Sequence, residues 1–172
     1  QAAVERLFLA GHRKIGMIAG PEHVFTARER YLGYEEAFKK AGIEVQDSLV
    51  VHGDYTIAGG ARAMKELAKQ NPQMTAVFVS NYEMTVGAMI ESNEIGIRIP
   101  EDLSVIGFDN IEFAKASNPK LSIVTQPTKE IGRNVAELIL DRLDNPTREM
   151  PPKEMKLKTS FVEGKSVHML SV

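Results

Sequence analysis

Short apolar runs alternate with longer amphipathic segments from the start of the chain to about residue 110. The apolar runs are uncharged and rich in β-branched side chains, which is typical of strands inside a parallel sheet. The longer segments repeat apolar residues three or four positions apart, and this spacing predicts helices. The predicted strands cover residues 15–19, 49–51, 76–79 and 103–108, and the predicted helices cover residues 27–40, 56–68 and 81–93, after a leading helix that ends at Gly11.

Strands that alternate with helices predict an α/β fold, with a doubly wound parallel sheet, helices on both faces and right-handed crossovers. The organisation changes after Asn110. A strand over residues 121–125 is followed by an amphipathic helix over residues 129–143, which Asn145-Pro146 ends. A last strand over residues 155–162 has the half-exposed alternation of an edge strand, and this strand–helix–strand unit need not belong to the first sheet.

Composition excludes several classes of protein. The 172 residues contain no cysteine, so the chain has neither disulfides nor a cysteine-ligated metal site. A net charge of −2 gives no sign of a nucleic-acid-binding surface in this piece. No apolar run approaches the roughly 18 residues of a membrane-spanning helix. The absence of cysteine fits a reducing cytoplasm, which is the expected setting. The chain opens on Gln1-Ala2-Ala3-Val4 as if within a helix, so we expect its natural start to lie upstream.

Polar side chains follow the carboxyl end of each of the first four predicted strands. In open α/β sheets ligands bind in the crevice beyond those ends, so the loops that follow are expected to line one rim. This rim suits a polyhydroxylated ligand, because a carboxylate accepts from two hydroxyls, an arginine donates to two oxygens and a ring packs on the apolar face of a sugar. The segments in chain order are residues 24–30 with Thr26 and Arg30, Asp54-Tyr55, Ser80-Asn81-Tyr82-Glu83 and Asp109-Asn110.

Each candidate also has a purely structural interpretation, which the residues alone leave open. Asp109 could cap the short helix that follows it. A cap and a ligand contact are compatible, because helix amino ends also attract anionic groups. The other interpretations are an N-cap for Asn81, a capping box for Thr26 with Glu29, a hydrophobic staple for Tyr55 and a solvated surface position for Arg30.

Motifs of catalysis and metal binding are absent from the sequence. The four histidines lack the spacing of metal ligands, and there is no phosphate-binding loop, nucleophile elbow or dinucleotide-binding glycine motif. Asp54 and Asp109 could form an acid–base pair, but nothing supplies a nucleophile or an activating partner. We therefore expect no cofactor and no metal. A small α/β enzyme that uses Asp54 and Asp109 is kept as one functional hypothesis, besides the two binding proteins described below.

A set of short segments stands in order across nearly the whole chain: Leu9 to Ile15, Gly20-Pro21, Ala27 to Tyr34, Gly53-Asp54-Tyr55, Pro72 to Phe78, Asn81-x-x-Met84-x-x-Gly87, Pro100 to Asn110 and Gln126-Pro127. Together these segments are highly specific, although no single one is. With them the sequence resembles the effector-binding part of the lactose/galactose repressor family of bacterial transcription regulators.

This resemblance implies a fold in which two doubly wound subdomains clasp a ligand and the chain crosses between them three times, as in periplasmic sugar-binding proteins. Residues 1–123 would form the C-terminal effector-binding subdomain. Residues 124–162 would be part of the N-terminal subdomain, and residues 163–172 a tail that returns to the first subdomain. The DNA-binding helix-turn-helix, the hinge helix and most of the N-terminal subdomain would lie outside this chain, which would leave the apolar face of the helix over residues 129–143 without its usual sheet.

The resemblance also implies roles for single residues. Arg30 and Asp109 match the paired effector contacts of the family, and Tyr55 matches an aromatic wall of the pocket. Family members often have Asn-Asp or Thr-Asp where this chain has Asn81-Tyr82, a departure that removes a charge from the helix start. The predicted ligand-binding residues are Arg30, Asp109, Tyr55, Thr26, Asn81 and Gln126, the last at a crossover near the ligand.

The implied function is that of the effector-sensing and dimerising part of a cytoplasmic bacterial repressor. Its expected partners are a sugar or sugar derivative, a second copy of the chain through the helix over residues 82–93, and DNA only through an N-terminal domain absent from this chain. A periplasmic sugar-binding protein of a transporter is the alternative, because it shares the fold. The segments at residues 11–15 and 107–110 favour the repressor.

Overall fold

The computed structural model describes residues 1–145 and 151–170. The predicted end of the last helix at Pro146 and the last two residues of the predicted tail lie outside these described residues. Within them, no helix is long and apolar enough to cross a lipid bilayer. The elements in chain order are α1 (Ala2–Leu9), β1 (Ile15–Ala19), α2 (Phe25–Ala41), a short 3-10 helix (Asp47–Leu49), β2 (Val50–His52), α3 (Ile57–Gln70), β3 (Ala76–Val79), α4 (Tyr82–Glu94), β4 (Ser104–Phe108), α5 (Ile111–Ala116), β5 (Ser122–Thr125), α6 (Thr128–Asp144) and β6 (Ser160–Val162).

These strands form one sheet in the order β2-β1-β3-β4-β5-β6. The strands β1 to β5 are parallel, and Met17 of β1 stands opposite both Val50 of β2 and Phe78 of β3. The prediction of a mostly parallel α/β sheet is confirmed. Because the strands are parallel, their carboxyl ends meet at one edge of the sheet, where a ligand crevice is expected.

The last strand differs from its prediction. β6 is limited to Ser160–Val162 instead of residues 155–162, and it pairs antiparallel with β5 at the edge of the same sheet. Its edge position matches the prediction. The division of the chain at residues 123 and 124 stays a prediction. Both strands of the appended strand–helix–strand unit, β5 and β6, belong to the same sheet as β1 to β4.

Apolar side chains cover the sheet on both faces. Tyr34 and Phe38 of α2 are buried on one face, and Met64 of α3 is buried on the other. The helices α3 and α4 approach closely because Gly60 and Gly87 each lie against the backbone of the other helix, where a Cβ would overlap it. These glycines therefore serve close packing.

The helix α6 buries none of its side chains within the described residues. Its apolar positions face solvent, with Ile139 at 54% and Leu143 at 69% exposure. The uncovered apolar face expected for this helix is therefore present.

The tail after β6 crosses the amino ends of β4 and β5, at the edge of the sheet opposite to the crevice. Ser166 is fully buried, and its hydroxyl donates to the Val105 carbonyl at 2.6 Å. His12 lies between the tail and the sheet, with Nε2 3.0 Å from the His168 carbonyl and Nδ1 2.9 Å from the Thr75 hydroxyl. These contacts hold the tail in place on the sheet.

Candidate functional site

The carboxyl ends of the parallel strands open onto one hollow with a volume of about 1090 Å³. It lies where ligands bind in open α/β sheets. Every residue predicted to bind a ligand lines this hollow, so the structure brings the whole predicted set together. These residues are Thr26, Arg30, Tyr55, Asn81, Asp109 and Gln126.

Arg30 is held by two contacts with the ends of neighbouring strands. Its Nη1 donates to the Ser80 carbonyl, directly after β3, at 2.7 Å. Its guanidinium lies 4.1 Å from the centre of the Phe108 ring at the end of β4, a cation–π contact. Arg30 is therefore a fixed donor at the rim, and the interpretation as a solvated surface residue is wrong.

Asp109 has a left-handed backbone conformation with φ of 63°, and Asn110 follows with φ of 53°. Residues with a side chain rarely adopt this conformation, and it persists only where the surroundings impose it. Asn110 is the N-cap of α5, because its Oδ1 accepts from the Phe113 amide at 2.9 Å. The interpretation of Asp109 as the cap is therefore wrong, and its carboxylate faces the hollow.

Gln126 meets Asp109 inside the hollow. It directly follows β5, and its Nε2 lies 3.1 and 3.0 Å from the two carboxylate oxygens of Asp109. The amide therefore donates to the carboxylate from the segment that joins β5 to α6. This contact gives Gln126 a second possible role, which is to orient Asp109.

Tyr55 also has a left-handed backbone, with φ of 64°. Its ring lies against Gly20, just after β1, where a Cβ would overlap the ring. The residue four positions into α3 is Gly60, which offers no side chain for a hydrophobic staple, so that interpretation is wrong. The Tyr55 hydroxyl is buried without a hydrogen-bond partner among the described residues, and the ring stands as a wall of the hollow.

Asn81 uses both ends of its amide within the protein. Its Oδ1 accepts from the Met84 amide at 3.0 Å, which caps α4. Its Nδ2 donates to a carboxylate oxygen of Glu83 at 2.7 Å. The predicted cap is confirmed, and Asn81 also fixes the Glu83 side chain at the wall of the hollow.

Thr26 lies inside α2, which begins at Phe25 and not at Ala27. The N-cap of this helix is Val24, which makes no side-chain cap, so the predicted capping box is wrong. The Thr26 side chain is exposed at the edge of the hollow.

The hollow is also lined by Tyr82, Glu83 and Asn110, which the sequence analysis placed at this rim without assigning them to the ligand. Four further polar side chains line the hollow and were missed by the sequence analysis. They lie at the end of β5 or on α5 and α6, whose positions over the hollow carry no local sequence signal. These residues are Glu112, Thr125, Thr128 and Lys129.

Asp54 does not line the hollow. Its carboxylate accepts from the Thr56 hydroxyl at 2.6 Å, from the Thr56 amide at 3.0 Å and from Arg62 at 2.8 Å. The hydrogen bonds from Thr56, and then Arg62, lower the pKa of Asp54. An acid–base pair of Asp54 and Asp109 is therefore not assembled. The described part of the chain also holds no group of three or more His, Asp or Glu side chains suited to a metal ion.

Known proteins resemble the chain over most of its length. The HTH-type transcriptional regulator CelR of Thermobifida fusca is 38% identical over 164 residues, which are 95% of this chain and 48% of that protein. The HTH-type transcriptional repressor CytR of Escherichia coli strain K12 is 40% identical over 141 residues, which are 82% of this chain and 41% of that protein. The chain thus spans less than half the length of either relative.

Solved structures of transcriptional regulators also resemble the chain. A transcriptional regulator CelR–cellobiose complex has a TM-score of 0.88 at 38% identity, and the match covers 94% of this chain and 49% of the chain in that complex. A LacI family transcriptional regulator from Enterococcus faecium with bound ribose has a TM-score of 0.86 at 30% identity and covers 99% of this chain and 62% of its own. The family described as periplasmic binding protein-like domain matches residues 4–167. The chain therefore belongs to this family, and it is similar over most of its length to transcriptional regulators, among them one of the LacI family.

Proposed function

We propose that the chain is the effector-binding part of a bacterial transcription repressor and that its effector is a sugar. Support comes from relatives named as HTH-type regulators and from structural neighbours that hold cellobiose or ribose. DNA binding would belong to a domain outside this chain. The whole protein would act in the cytoplasm and would catalyse no reaction.

The observation that carries this proposal is the convergence of Arg30, Tyr55 and Asp109 on one hollow. The guanidinium can donate to two sugar oxygens, and the carboxylate can accept from two hydroxyls. The Tyr55 ring can pack on the apolar C–H face of the sugar. The proposed contacts are Arg30, Asp109, Tyr55, Thr26, Asn81 and Gln126.

In the whole protein, the opposite wall of the cleft would come from an N-terminal subdomain. We assign residues 1–123 to the C-terminal subdomain, residues 124–162 to a part of the N-terminal one and residues 163–172 to the returning tail. An effector that binds the closed arrangement more tightly would shift the equilibrium between open and closed forms, and the DNA-binding domains would respond to that shift. We also assign dimerisation to α4, on which Ile90 is 48% exposed.

A sugar-binding protein of a transporter would use the same fold and the same hollow. The matched relatives are HTH-type regulators, which favours the repressor. An enzyme is disfavoured because Asp54, the only partner that the sequence offered to Asp109, is engaged by Thr56 and Arg62 outside the hollow.

The test is a thermal-shift screen of the full-length protein against sugars, sugar phosphates and purines. A ligand present at 100 times its Kd stabilises the folded state by about 2.7 kcal/mol. We expect a sugar to raise the Tm, and Arg30→Ala and Asp109→Ala each to erase the increase. Arg28→Ala, an exposed position on the same helix, is the matched control and should keep the full increase.

The same sugar should change the affinity of the full-length protein for its operator DNA in a gel-shift titration. A screen in which only purines or sugar phosphates raise the Tm would overturn the sugar assignment. A sugar response that survives both Arg30→Ala and Asp109→Ala would overturn the assignment of the site.

A further inference from the structure

The hollow contains the same combination of chemical groups twice. An inner set lies at the strand ends and consists of an aromatic ring, a carboxylate and a cation, namely Tyr55, Asp109 and Arg30. An outer set lies on the first turns of three helices and repeats this combination. It consists of Tyr82 and Glu83 on α4, Glu112 on α5 and Lys129 on α6.

The outer set is built into the fold at two of its members. The Tyr82 ring meets the Phe113 ring edge-on, with centroids 5.5 Å apart, so it joins the first turns of α4 and α5. Glu83 receives the hydrogen bond of 2.7 Å from the Asn81 amide. A carboxylate has about four acceptor positions, so Glu83 keeps capacity for the hydroxyls of a ligand.

The hollow extends beyond the inner set. Its lining runs from the strand ends to the first turns of α4, α5 and α6, and the hollow, which is open on one side, has a volume of about 1090 Å³. The inner set accounts for one ring, and the outer set lines the part of the hollow next to these helix starts.

The charges of the side chains that line the hollow indicate what kind of chemical group can bind at the outer set. Asp109, Glu83 and Glu112 supply three carboxylates, against the two cations Arg30 and Lys129. A lining with an excess of negative charge repels an anionic substituent such as a phosphate. Neutral hydroxyl groups, in contrast, can donate to each of these carboxylates.

We propose that Tyr82, Glu83 and Glu112 form a second sugar subsite, so that the effector is a neutral disaccharide. The aromatic ring packs on the second sugar, and the two carboxylates accept from its hydroxyls. This inference rests on the proposed function, because the inner set must hold the first ring.

The experiment compares neutral disaccharides (cellobiose, lactose, maltose) with glucose and galactose on the full-length protein. Isothermal titration measures the disaccharides, and thermal shift at high concentration measures the monosaccharides. We expect one disaccharide to bind at least about tenfold more tightly than its component sugars. Glu83→Gln and Glu112→Gln should each weaken that disaccharide by about tenfold and leave the monosaccharide response unchanged. Glu94→Gln, at the far end of α4, removes the same charge and should change neither.

The outcomes separate this inference from the proposed function. A monosaccharide that binds as tightly as every disaccharide would overturn the second subsite and leave the sugar-responsive repressor intact. The same holds if Glu83→Gln and Glu112→Gln weaken both kinds of sugar alike or leave both unchanged. Failure of every sugar to bind would overturn the proposed function, and the second subsite with it.

Discussion

Nε2 of Gln126 lies within hydrogen-bond distance of both carboxylate oxygens of Asp109, at 3.1 and 3.0 Å. Gln126 belongs to the segment between β5 and α6, whereas Asp109 follows β4. A hydrogen bond to a charged group contributes about 1.5–3 kcal/mol, which is enough to set the direction of the carboxylate. The sugar hydroxyls proposed to bind Asp109 would compete with this amide, and the segment leading to α6 would respond to the occupancy of the hollow.

Replacement of Gln126 tests this orientation. Gln126→Leu removes the donor at similar volume, and we expect effector affinity to fall about tenfold, which corresponds to about 1.4 kcal/mol. Gln126→Glu should cost more, because it places a second carboxylate against Asp109. Isothermal titration measures both, with Gln73→Leu in an exposed turn as the control. Equal losses for Gln126→Leu and Gln126→Glu would argue against an orienting contact.

A second prediction concerns Arg30, whose two contacts require a planar guanidinium. A lysine cannot both stack on Phe108 and donate to the Ser80 carbonyl while it presents a fork of donors to a ligand. We expect Arg30→Lys to weaken effector binding at least about tenfold. The free energy of unfolding should fall by only about 1 kcal/mol, the scale of a cation–π contact. Titration and urea unfolding measure the two effects, and Arg28→Lys should change neither. Wild-type affinity in Arg30→Lys would show that charge alone suffices.

The placement of Arg30 and Asp109 in the same hollow could be predicted from the sequence, because the strand-end rule needs only the alternation of strands and helices. The contact between Gln126 and Asp109 could not. It depends on the register of β5 against β4, in which Phe108 stands opposite Val124. A shift of that register would move the amide away from the carboxylate, and no local pattern encodes it.

The start of α2 and the extent of β6 were also beyond local patterns. The first turn of α2 is closed by backbone hydrogen bonds to the Val24 carbonyl, from the Ala27 amide at 3.0 Å and from the Arg28 amide at 3.2 Å. A capping side chain is therefore not required at this helix start. This is why the predicted capping box of Thr26 with Glu29 is wrong. β6 is three residues long, which is too short to show a period-two pattern.

The left-handed backbone of Tyr55 gives a prediction about stability. Glycine adopts positive φ at no steric cost, whereas alanine keeps the strain, which amounts to about 1–3 kcal/mol. We therefore expect Tyr55→Gly to be more stable than Tyr55→Ala by about 1 kcal/mol in urea unfolding. Both variants remove the aromatic wall and should weaken effector binding.

The matched control for Tyr55 is the same pair of substitutions inside a helix. At Arg28, an exposed position in α2, glycine should be less stable than alanine by about 1 kcal/mol, so the order is reversed. The same order at both positions would mean that the backbone of Tyr55 stores no strain that glycine can relieve.

His12 is buried, with 1% of its surface exposed, between the sheet and the tail. Its Nε2 faces the His168 carbonyl, so the proton lies on Nε2, and Nδ1 accepts from the Thr75 hydroxyl. Burial lowers the pKa of His12 below its ordinary value of 6.5, although the hydrogen bond to the His168 carbonyl opposes this by favouring the charged form. The positive charge of Arg13 acts in the same direction as burial. The folded protein therefore holds this imidazole in its neutral form.

This burial predicts a loss of stability on acidification. The unfolded chain takes up a proton at His12 near pH 6.5, but the folded chain does so only at lower pH. The unfolded state therefore binds more protons below about pH 6.5, and the free energy of unfolding falls there by up to about 1.4 kcal/mol per pH unit. Urea unfolding between about pH 8 and pH 5 measures this slope. His12→Gln should be less stable than wild type at pH 8 but should lose less on acidification, whereas His23→Gln, in an exposed loop, should keep the wild-type slope. An unchanged slope in His12→Gln would assign the acid sensitivity to other groups.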